Sequence, residues 1–163
     1  MAGAENINPY NQNESKTEQV EEMFDSIAPA YDFMNTAMTF GLHRYWRDCA
    51  LKMLDRLPHD SILDVATGTG DVAFRLYERF SPSRLVGIDL SNGMLDIARR
   101  KLASMDQKAR DTISFKQDNC LQLSMDDKQF DVVTVAYGVR NFERLAQGYA
   151  EMLRVLRPGG TLC

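Results

Sequence analysis

Small and acidic residues are concentrated in one short run, Asp64-Val65-Ala66-Thr67-Gly68-Thr69-Gly70-Asp71, which lies between an apolar segment and an amphipathic one. Glycines at positions 68 and 70 permit a tight turn and let a ligand approach the backbone where a side chain would collide with it. The helix predicted to follow presents unpaired N–H groups at the same place. The pattern predicts a turn that binds a cofactor.

Two kinds of cofactor fit such a turn. Gly68, Gly70 and Ala73 satisfy the loose G-x-G-x-x-A pattern of dinucleotide sites. Asp89, at the end of the next strand, could accept both hydroxyls of a ribose in either kind of cofactor. Asp64 discriminates between them, because a carboxylate beside the turn repels a pyrophosphate and attracts the cationic amino group and sulfonium of S-adenosylmethionine. The residues favour S-adenosylmethionine over a nicotinamide cofactor.

A second polar run, Asp118-Asn119-Cys120, follows the third predicted strand. It offers an acceptor, an amide and a small side chain to the edge of an adenine ring. In an open parallel sheet, ligands bind beyond the carboxyl ends of the strands. We therefore expect this run to face the same ligand as the glycine-rich turn.

Short apolar strands alternate with amphipathic helices along most of the chain. Strands are predicted at 61–66, 84–89, 112–117 and 130–137, and helices at 18–30, 44–57, 70–80, 91–103 and 142–156, the fourth with Ser91 as its N-cap. This alternation predicts an α/β fold, a Rossmann-like open parallel sheet with helices on both faces. The expected organisation is a disordered tail over 1–17, a helical segment over 18–57 and a cofactor-binding domain over 58–163.

Composition excludes several classes of protein. The 163 residues suit one domain, and a net charge of −4 without any run of Lys or Arg disfavours a nucleic-acid partner. The sequence lacks a signal peptide and any apolar stretch long enough to cross a bilayer. Three cysteines without paired spacing favour the reducing cytoplasm and disfavour a disulfide framework or a metal site.

The last residues, LRPGGTLC, place a Pro-Gly-Gly turn before what is predicted as a new apolar strand. A domain rarely ends where a strand begins. We therefore expect the chain to be a fragment whose C-terminal strands are missing.

The order of four motifs, LDVATGTGD, GIDLSNGML, FDVVTVAYGVRNF and LRVLRPGG, resembles that of class I S-adenosylmethionine-dependent methyltransferases. Two further stretches, YDFMNTAMTFGLHRYW (31–46) and AYGVRNF (136–142), resemble the signatures of the ubiquinone/menaquinone biosynthesis C-methyltransferases of the UbiE/MenG type. The resemblance runs from about Val20 to Cys163. It implies methylation of a ring carbon of a demethylated, polyprenylated quinol, with greater similarity to the demethylmenaquinone enzymes.

The resemblance also implies roles for individual residues. Thr69 and Asp89 match cofactor-contacting positions, Asn119 and Cys120 fall where the family holds adenine, and Asn141 belongs to an Arg-Asn pair on the substrate side. Tyr31, Asp32, Asn35, His43 and Trp46 lie in the N-terminal signature, which makes 18–57 a substrate-side cap. Together with the turn, the candidate cofactor-binding residues are Asp64, Thr67, Gly68, Thr69, Gly70, Asp89, Asn119 and Cys120.

Methyl transfer to carbon requires a hydroxyl next to the accepting carbon to lose its proton. Arg140 could stabilise the phenolate that results, and either His43 or Tyr31 could accept the proton. A polyprenyl acceptor further implies transient contact with the membrane surface from the cytoplasmic side. Apolar side chains at Met34, Met38, Phe40 and Leu42 are expected to pack in the core, with a groove for the prenyl tail as the alternative. A methyltransferase of another pathway and a cofactor-binding module without catalysis remain open, as does the oligomeric state.

Overall fold

The computed structural model describes residues 16–39 and 42–163. For seven of these residues it describes the backbone alone, namely 33, 35, 36, 39, 43, 44 and 46. Five strands form one parallel sheet in the order β3-β2-β1-β4-β5. They are β1 (Ser61–Val65), β2 (Arg84–Asp89), β3 (Ile113–Gln117), β4 (Phe130–Val135) and β5 (Leu156–Leu162). The four predicted strands are confirmed to within two residues at each end. All five residues of β1 are buried, as expected of a central strand that is covered on both faces.

Within residues 16–39 and 42–163, seven helices connect and flank these strands. They are α1 (Lys16–Ile27), α2 (Tyr31–Thr39), α3 (Leu42–Leu51), α4 (Asp71–Phe80), α5 (Asn92–Ala103), α6 (Gln107–Thr112) and α7 (Leu145–Val155), with short 3-10 turns at Ala28–Ala30, Lys52–Leu54 and Gly138–Asn141. Ser91 is the N-cap of α5, since its hydroxyl accepts the N–H of Met94 at 3.0 Å. None of the described helices combines the length and the apolar character needed to cross a bilayer.

The hydrophobic core lies in two layers, one on each face of the sheet. Alternate residues of β1 supply both, because successive side chains of a strand point to opposite faces. Leu63 and Val65 pack with Met152 of α7 on one face, whereas Ile62 packs with Leu76 of α4 on the other. The predicted arrangement, with helices on both faces of an open parallel sheet, is confirmed.

The structure corrects the boundaries of several predicted elements. Helix α1 begins at Lys16, so two residues assigned to the predicted tail are helical, and residues 1–15 lie outside the described part of the chain. The sequence predicted no element over residues 31–39, which form α2, and no helix over residues 107–112, which form α6. The last helix begins at Leu145 rather than at residue 142, after a 3-10 turn.

The Pro-Gly-Gly sequence was predicted to form a turn before a strand. This prediction is wrong, because the sequence lies inside β5. Between the pairs Phe130–Leu156 and Val132–Thr161, β4 advances by two residues while β5 advances by five. The extra residues form an irregularity in the edge strand, where Gly159 adopts φ +82°. Proline is tolerated there because an edge strand leaves part of its N–H row unpaired.

Helix α1 is bound at both of its ends to different parts of the domain. The hydroxyl of Thr17 donates to Glu143, after β4, at 2.6 Å. Eight residues along α1 beyond this contact, Asp25 accepts the Ser91 hydroxyl and, at 2.9 Å, the N–H of Gly93, both at the start of α5. The helix therefore lies across the carboxyl ends of the strands, where the two halves of the sheet diverge.

The carboxyl ends of β1 and β4 approach each other closely at this divergence. Ala66 has φ +54°, a left-handed conformation that L side chains rarely adopt. A Cβ on Gly138 would lie only 2.3 Å from the Cβ of Ala66. The absence of a side chain at position 138 is thus a steric requirement of the strand ends.

We expect Gly138→Ala to lower the free energy of unfolding by about 1–3 kcal/mol, because the added methyl group overlaps Ala66. Ala66→Gly removes both the overlap and the left-handed strain, so alone it should change stability by less than about 1 kcal/mol. The double variant should recover most of the loss. Urea unfolding of the four proteins measures this coupling, and strictly additive losses would contradict the steric explanation.

Candidate functional site

A cleft opens at the carboxyl ends of the strands, where the order of the sheet reverses between β1 and β4. It encloses about 860 Å³, including the open solvent at its mouth. We call it the main cleft. Its described walls are α1, the turn after β1, the ends of β2 and β4, and the residues after β3; they include Val20, Phe24, Tyr31, Gly68, Asp89, Met94, Asn119, Cys120, Tyr137, Arg140, Asn141 and Phe142.

Asp89 connects the glycine-rich turn to the start of α5. One carboxylate oxygen accepts the N–H of Gly68 at 2.8 Å and the other accepts that of Ser91 at 3.0 Å. Burial raises the pKa of Asp89 above its ordinary value, although the two N–H groups oppose the shift. Each oxygen retains a lone pair, so the carboxylate can still accept a hydroxyl from a ligand in the main cleft.

The two glycines of the turn have different reasons to lack a side chain. Both adopt positive φ, +57° at Gly68 and +84° at Gly70. A Cβ at Gly68 would meet no atom within 4 Å, so it would project into open space at the cleft. A Cβ at Gly70 would collide with Phe74 at 2.8 Å and with Phe115 at 3.0 Å. Gly68 thus leaves room for a ligand, whereas Gly70 permits packing between helix and sheet.

Asn119 and Cys120 line the main cleft after β3, as the sequence predicted for an adenine-binding position. The Asn119 side-chain oxygen accepts the N–H of Leu121 at 2.9 Å, which fixes the orientation of the amide. Burial raises the pKa of the Cys120 thiol to about 12, so the thiol stays protonated near neutral pH. It offers a small, uncharged contact surface.

A smaller space of about 410 Å³, open solvent included, adjoins the main cleft. We call it the polar chamber; its lining includes Tyr31, Asp32, Arg47, Asp64, Thr67, Thr69 and Asp71, and it shares Tyr31, Ala66, Gly68, Ala136 and Tyr137 with the main cleft. The structure therefore divides the predicted cofactor residues between two connected spaces. Gly70 is not among the described residues that line either of them.

Asp64 is buried at one side of the polar chamber and is only 1% exposed. Its two oxygens accept the hydroxyls of Thr67 and Thr134, both at 2.6 Å. Burial raises the pKa of Asp64 to about 6, and the two hydroxyl contacts limit the rise. The group carries a negative charge at neutral pH and loses it under mildly acidic conditions.

Thr69 faces a network of charged side chains rather than the main cleft. Its hydroxyl donates to Asp32 at 2.6 Å and accepts from Lys101 at 3.2 Å. Lys101 also binds Asp32 at 2.7 Å and Asp71 at 2.9 Å. Burial acts to raise the pKa of Asp71, but Lys101 and Arg47 outweigh it and hold that pKa below its ordinary value. The network joins α2, α3, α4 and α5 around the turn.

The predicted substrate-side residues are only partly described. Arg140 and Asn141 lie in the 3-10 turn after β4 and line the main cleft, with Arg140 exposed. Tyr31 begins α2 and lines both spaces, with its ring edge-on to Phe24 at a centroid distance of 6.0 Å. His43 lies in α3, but its side chain is outside the described residues, as are those of Asn35 and Trp46.

The prediction that the methionine-rich stretch packs in the core is wrong for the three of its four side chains that the structure describes. Met34, Met38 and Leu42 are 44%, 77% and 52% exposed, and Phe40 lies outside the described residues. Helical spacing alone did not reveal this, because an apolar residue gives the same pattern whether a helix face is covered or open to solvent.

Sequence reasoning also missed functional candidates. Val20 and Phe24 of α1 line the main cleft, although the sequence predicted only a helix there. Arg47 and Lys101 were not singled out, and no local motif marks them. Their partners lie 24 to 69 residues away in the chain, so only the folded structure brings them together.

The geometry suits a cationic ligand that lacks phosphate. The Gly68 N–H, which a pyrophosphate would need, is already donated to Asp89. Acidic side chains surround the turn on both sides, Asp89 towards the main cleft and Asp64 towards the polar chamber. A diphosphate would be repelled there, whereas a sulfonium or an ammonium would be attracted.

Comparison with known proteins agrees with this chemistry. A model of the ubiE/COQ5 methyltransferase family matches residues 12–163. A demethylmenaquinone methyltransferase of Bacteroides fragilis is 45% identical over 158 residues, which are 97% of this chain and 64% of that protein. A ubiquinone/menaquinone biosynthesis C-methyltransferase of Geotalea daltonii is 43% identical over 146 residues, 89% of this chain and 61% of that protein. The chain spans less than two thirds of the length of these relatives.

Solved structures with lower identity share the fold. A SAM-dependent methyltransferase of Aquifex aeolicus has a TM-score of 0.61 at 19% identity over 71% of this chain and 61% of its own. The [4+2]-cyclase SpnF has a TM-score of 0.76 at 21% identity over 90% of this chain and 58% of its own. The predicted class I fold is confirmed, and the cyclase illustrates that this fold alone does not determine the reaction.

We expect Asp64→Asn to change how stability depends on pH. Because the native pKa of Asp64 is about 6, against 3.8 when unfolded, the native state binds more protons between these values. Raising the pH through this window therefore lowers the free energy of unfolding of the wild type, by roughly 2–3 kcal/mol in all, and the loss persists above pH 6. The variant lacks this loss, so its stability relative to wild type should rise from pH 4 to pH 7 in urea unfolding. A difference that is the same at both pH values would contradict the buried-charge assignment.

Proposed function

The chain belongs to the ubiE/COQ5 methyltransferase family, and from this we propose that it binds S-adenosylmethionine in the main cleft and methylates a ring carbon of demethylmenaquinol. The observation that carries the cofactor assignment is the Asp89 carboxylate, which occupies the Gly68 N–H and faces the cleft. The names of the relatives support a quinone-pathway acceptor, since one is a demethylmenaquinone methyltransferase and another a ubiquinone/menaquinone biosynthesis C-methyltransferase.

Each candidate cofactor residue except Gly70 has a role that its position supports. Asp89 would accept the ribose hydroxyls, Asn119 and Cys120 would hold the adenine edge, and Gly68 would let the ligand pass close to the backbone. Asp64 would attract the ammonium group from the polar chamber. Thr67 would act through Asp64, which it binds, and Thr69 would position the turn through Asp32.

S-adenosylmethionine, when bound, supplies an electrophilic methyl group. The chain must then hold the acceptor carbon in line with it and stabilise the negative charge of a phenolate. Arg140 is suited to the second task, because its guanidinium lies at the main cleft and can form a charge-assisted hydrogen bond to oxygen. Tyr31 is the candidate proton acceptor whose side chain is described, and His43 remains its rival.

Exposed apolar side chains on α2 and α3 support contact with a membrane, where a polyprenyl acceptor resides. Met38 is 77% exposed, and Leu42 and Tyr45 are 52% and 63% exposed. We propose that this surface rests transiently on the bilayer while substrate enters. The idea also agrees with peripheral attachment on the cytoplasmic side.

Gly68→Ala should weaken binding of S-adenosylhomocysteine about tenfold or more, because the new Cβ projects into the space intended for the ligand. Its cost in stability should stay near 1 kcal/mol, since no atom lies within 4 Å of that Cβ. Gly159→Ala is the matched control, with φ +82° and an equally open Cβ position on β5, away from the cleft. Calorimetry should give unchanged affinity for this control.

The same titrations test the cofactor assignment. The wild type should bind S-adenosylhomocysteine and not NAD. Tight binding of NAD, or equal loss of affinity in the two glycine variants, would count against the site as proposed.

Arg140→Met should lower kcat for demethylmenaquinol by about 10²–10³ and leave the Kd of S-adenosylhomocysteine unchanged, because the guanidinium acts on the charge of the acceptor. Arg140→Lys should recover part of the rate. Arg144→Met, which alters an exposed cation on the same segment, is the control. Cofactor binding by the wild type without turnover would instead favour a binding module, and turnover of a different phenolic acceptor would favour another pathway.

Met38→Glu should reduce flotation of the protein with anionic lipid vesicles, because a charge on the exposed face of α2 is costly to bury among acyl chains. Its affinity for S-adenosylhomocysteine should not change. Leu153→Glu, which introduces the same charge at an exposed apolar position on α7, is the control. Equal flotation of all three proteins would refute the membrane contact.

A further inference from the structure

The polar chamber continues from the main cleft at the glycine-rich turn. Gly68, Ala66 and Tyr31 line both spaces, and a Cβ at position 68 would meet nothing within 4 Å. A nucleoside whose ribose is held at Asp89 can therefore extend a chain past Gly68 into the chamber. Under the proposed function, that chain is the amino-acid end of S-adenosylmethionine, which carries one ammonium and one carboxylate.

The ammonium and the carboxylate need opposite partners. Asp64 can serve the ammonium, as argued above. Arg47 is the one cationic side chain among the described residues that line the chamber. It projects from α3, and its side chain is only 13% exposed.

The guanidinium of Arg47 has donors to spare. One Nη1–H binds the Asp71 carboxylate at 3.2 Å. The buried Nε–H has no acceptor in the part of the chain that the structure describes. A buried donor without an acceptor is unfavourable, and a planar guanidinium is suited to binding a carboxylate through two parallel hydrogen bonds.

Arg47 does not neutralise the neighbouring acids alone. Lys101 binds both Asp32 and Asp71, at 2.7 and 2.9 Å, and so already supplies a counter-charge to the acid that Arg47 contacts. Asp64 is buried and already accepts the hydroxyls of Thr67 and Thr134. An entering carboxylate would therefore find one cation with open hydrogen-bonding capacity.

We propose that Arg47 binds the carboxylate of the amino-acid end of S-adenosylmethionine in the polar chamber, and so selects nucleosides that carry this group. The inference rests on the proposed function. It makes the N-terminal helical segment part of the cofactor site, since α3 contributes the residue that reads one end of the ligand.

The test compares ligands that differ at the carboxylate. In the wild type, removing the carboxylate from S-adenosylhomocysteine by using its decarboxylated analogue should weaken binding about 10–100-fold. Arg47→Met should weaken S-adenosylhomocysteine by a similar factor and leave binding of 5′-methylthioadenosine, which lacks the amino-acid end, within about twofold. Arg47→Lys should be intermediate. Arg75→Met, which removes an arginine from ion pairs on the exposed side of α4, should change neither affinity.

Each result decides a different point. Equal binding of the two homocysteine ligands by the wild type would overturn the proposal without any variant. Equal weakening of all ligands by Arg47→Met would assign Arg47 a purely structural role and overturn it as well. Failure of the wild type to bind any of the nucleosides would instead refute the proposed function itself.

Discussion

The carboxylate of Asp89 accepts the N–H of Gly68 with one oxygen and the N–H of Ser91 with the other. Through these two hydrogen bonds, Asp89 at the end of β2 holds in place both the turn after β1 and Ser91, the residue that precedes α5. The same bonds remove a backbone donor that an anionic ligand would require. The carboxylate of Asp89 thus constrains both the shape of the main cleft and the sign of the charge of a ligand that can bind there. The other residues of the site are arranged around it.

Much of this arrangement could be predicted from the sequence because its causes are local. A short, mostly apolar run such as Ser61–Val65 is typical of a buried parallel strand, and Ser91 before an amphipathic segment is a strong helix N-cap. Once the strands are placed, their carboxyl ends must meet at one edge. The positions of Asp89 and Asn119 beside the glycine-rich turn could therefore be predicted without any knowledge of side-chain contacts.

The rest could not be predicted because it depends on contacts between distant segments. Thr69 matched a cofactor-contacting position, but its hydroxyl is bound to Asp32, and the cation that completes this contact, Lys101, comes from the end of α5. The Pro-Gly-Gly sequence is typical of a turn, yet pairing with β4 draws it into an irregular edge strand. In both places tertiary structure overrides a local preference.

The buried thiol of Cys120 has a consequence for the chemical durability of the crevice. With a pKa of about 12, roughly one thiol in 10⁵ is ionised at pH 7, and only the ionised form reacts readily with peroxides or electrophiles. The exposed Cys49 on α3 is far more accessible to such reagents. A fluorophore or spin label directed to sulfur would therefore attach at Cys49 and at Cys163, which is also exposed, and would spare Cys120 in the wall of the main cleft. With Cys163 replaced by Ser, such a label would report on the helical segment alone while the main cleft stays unmodified.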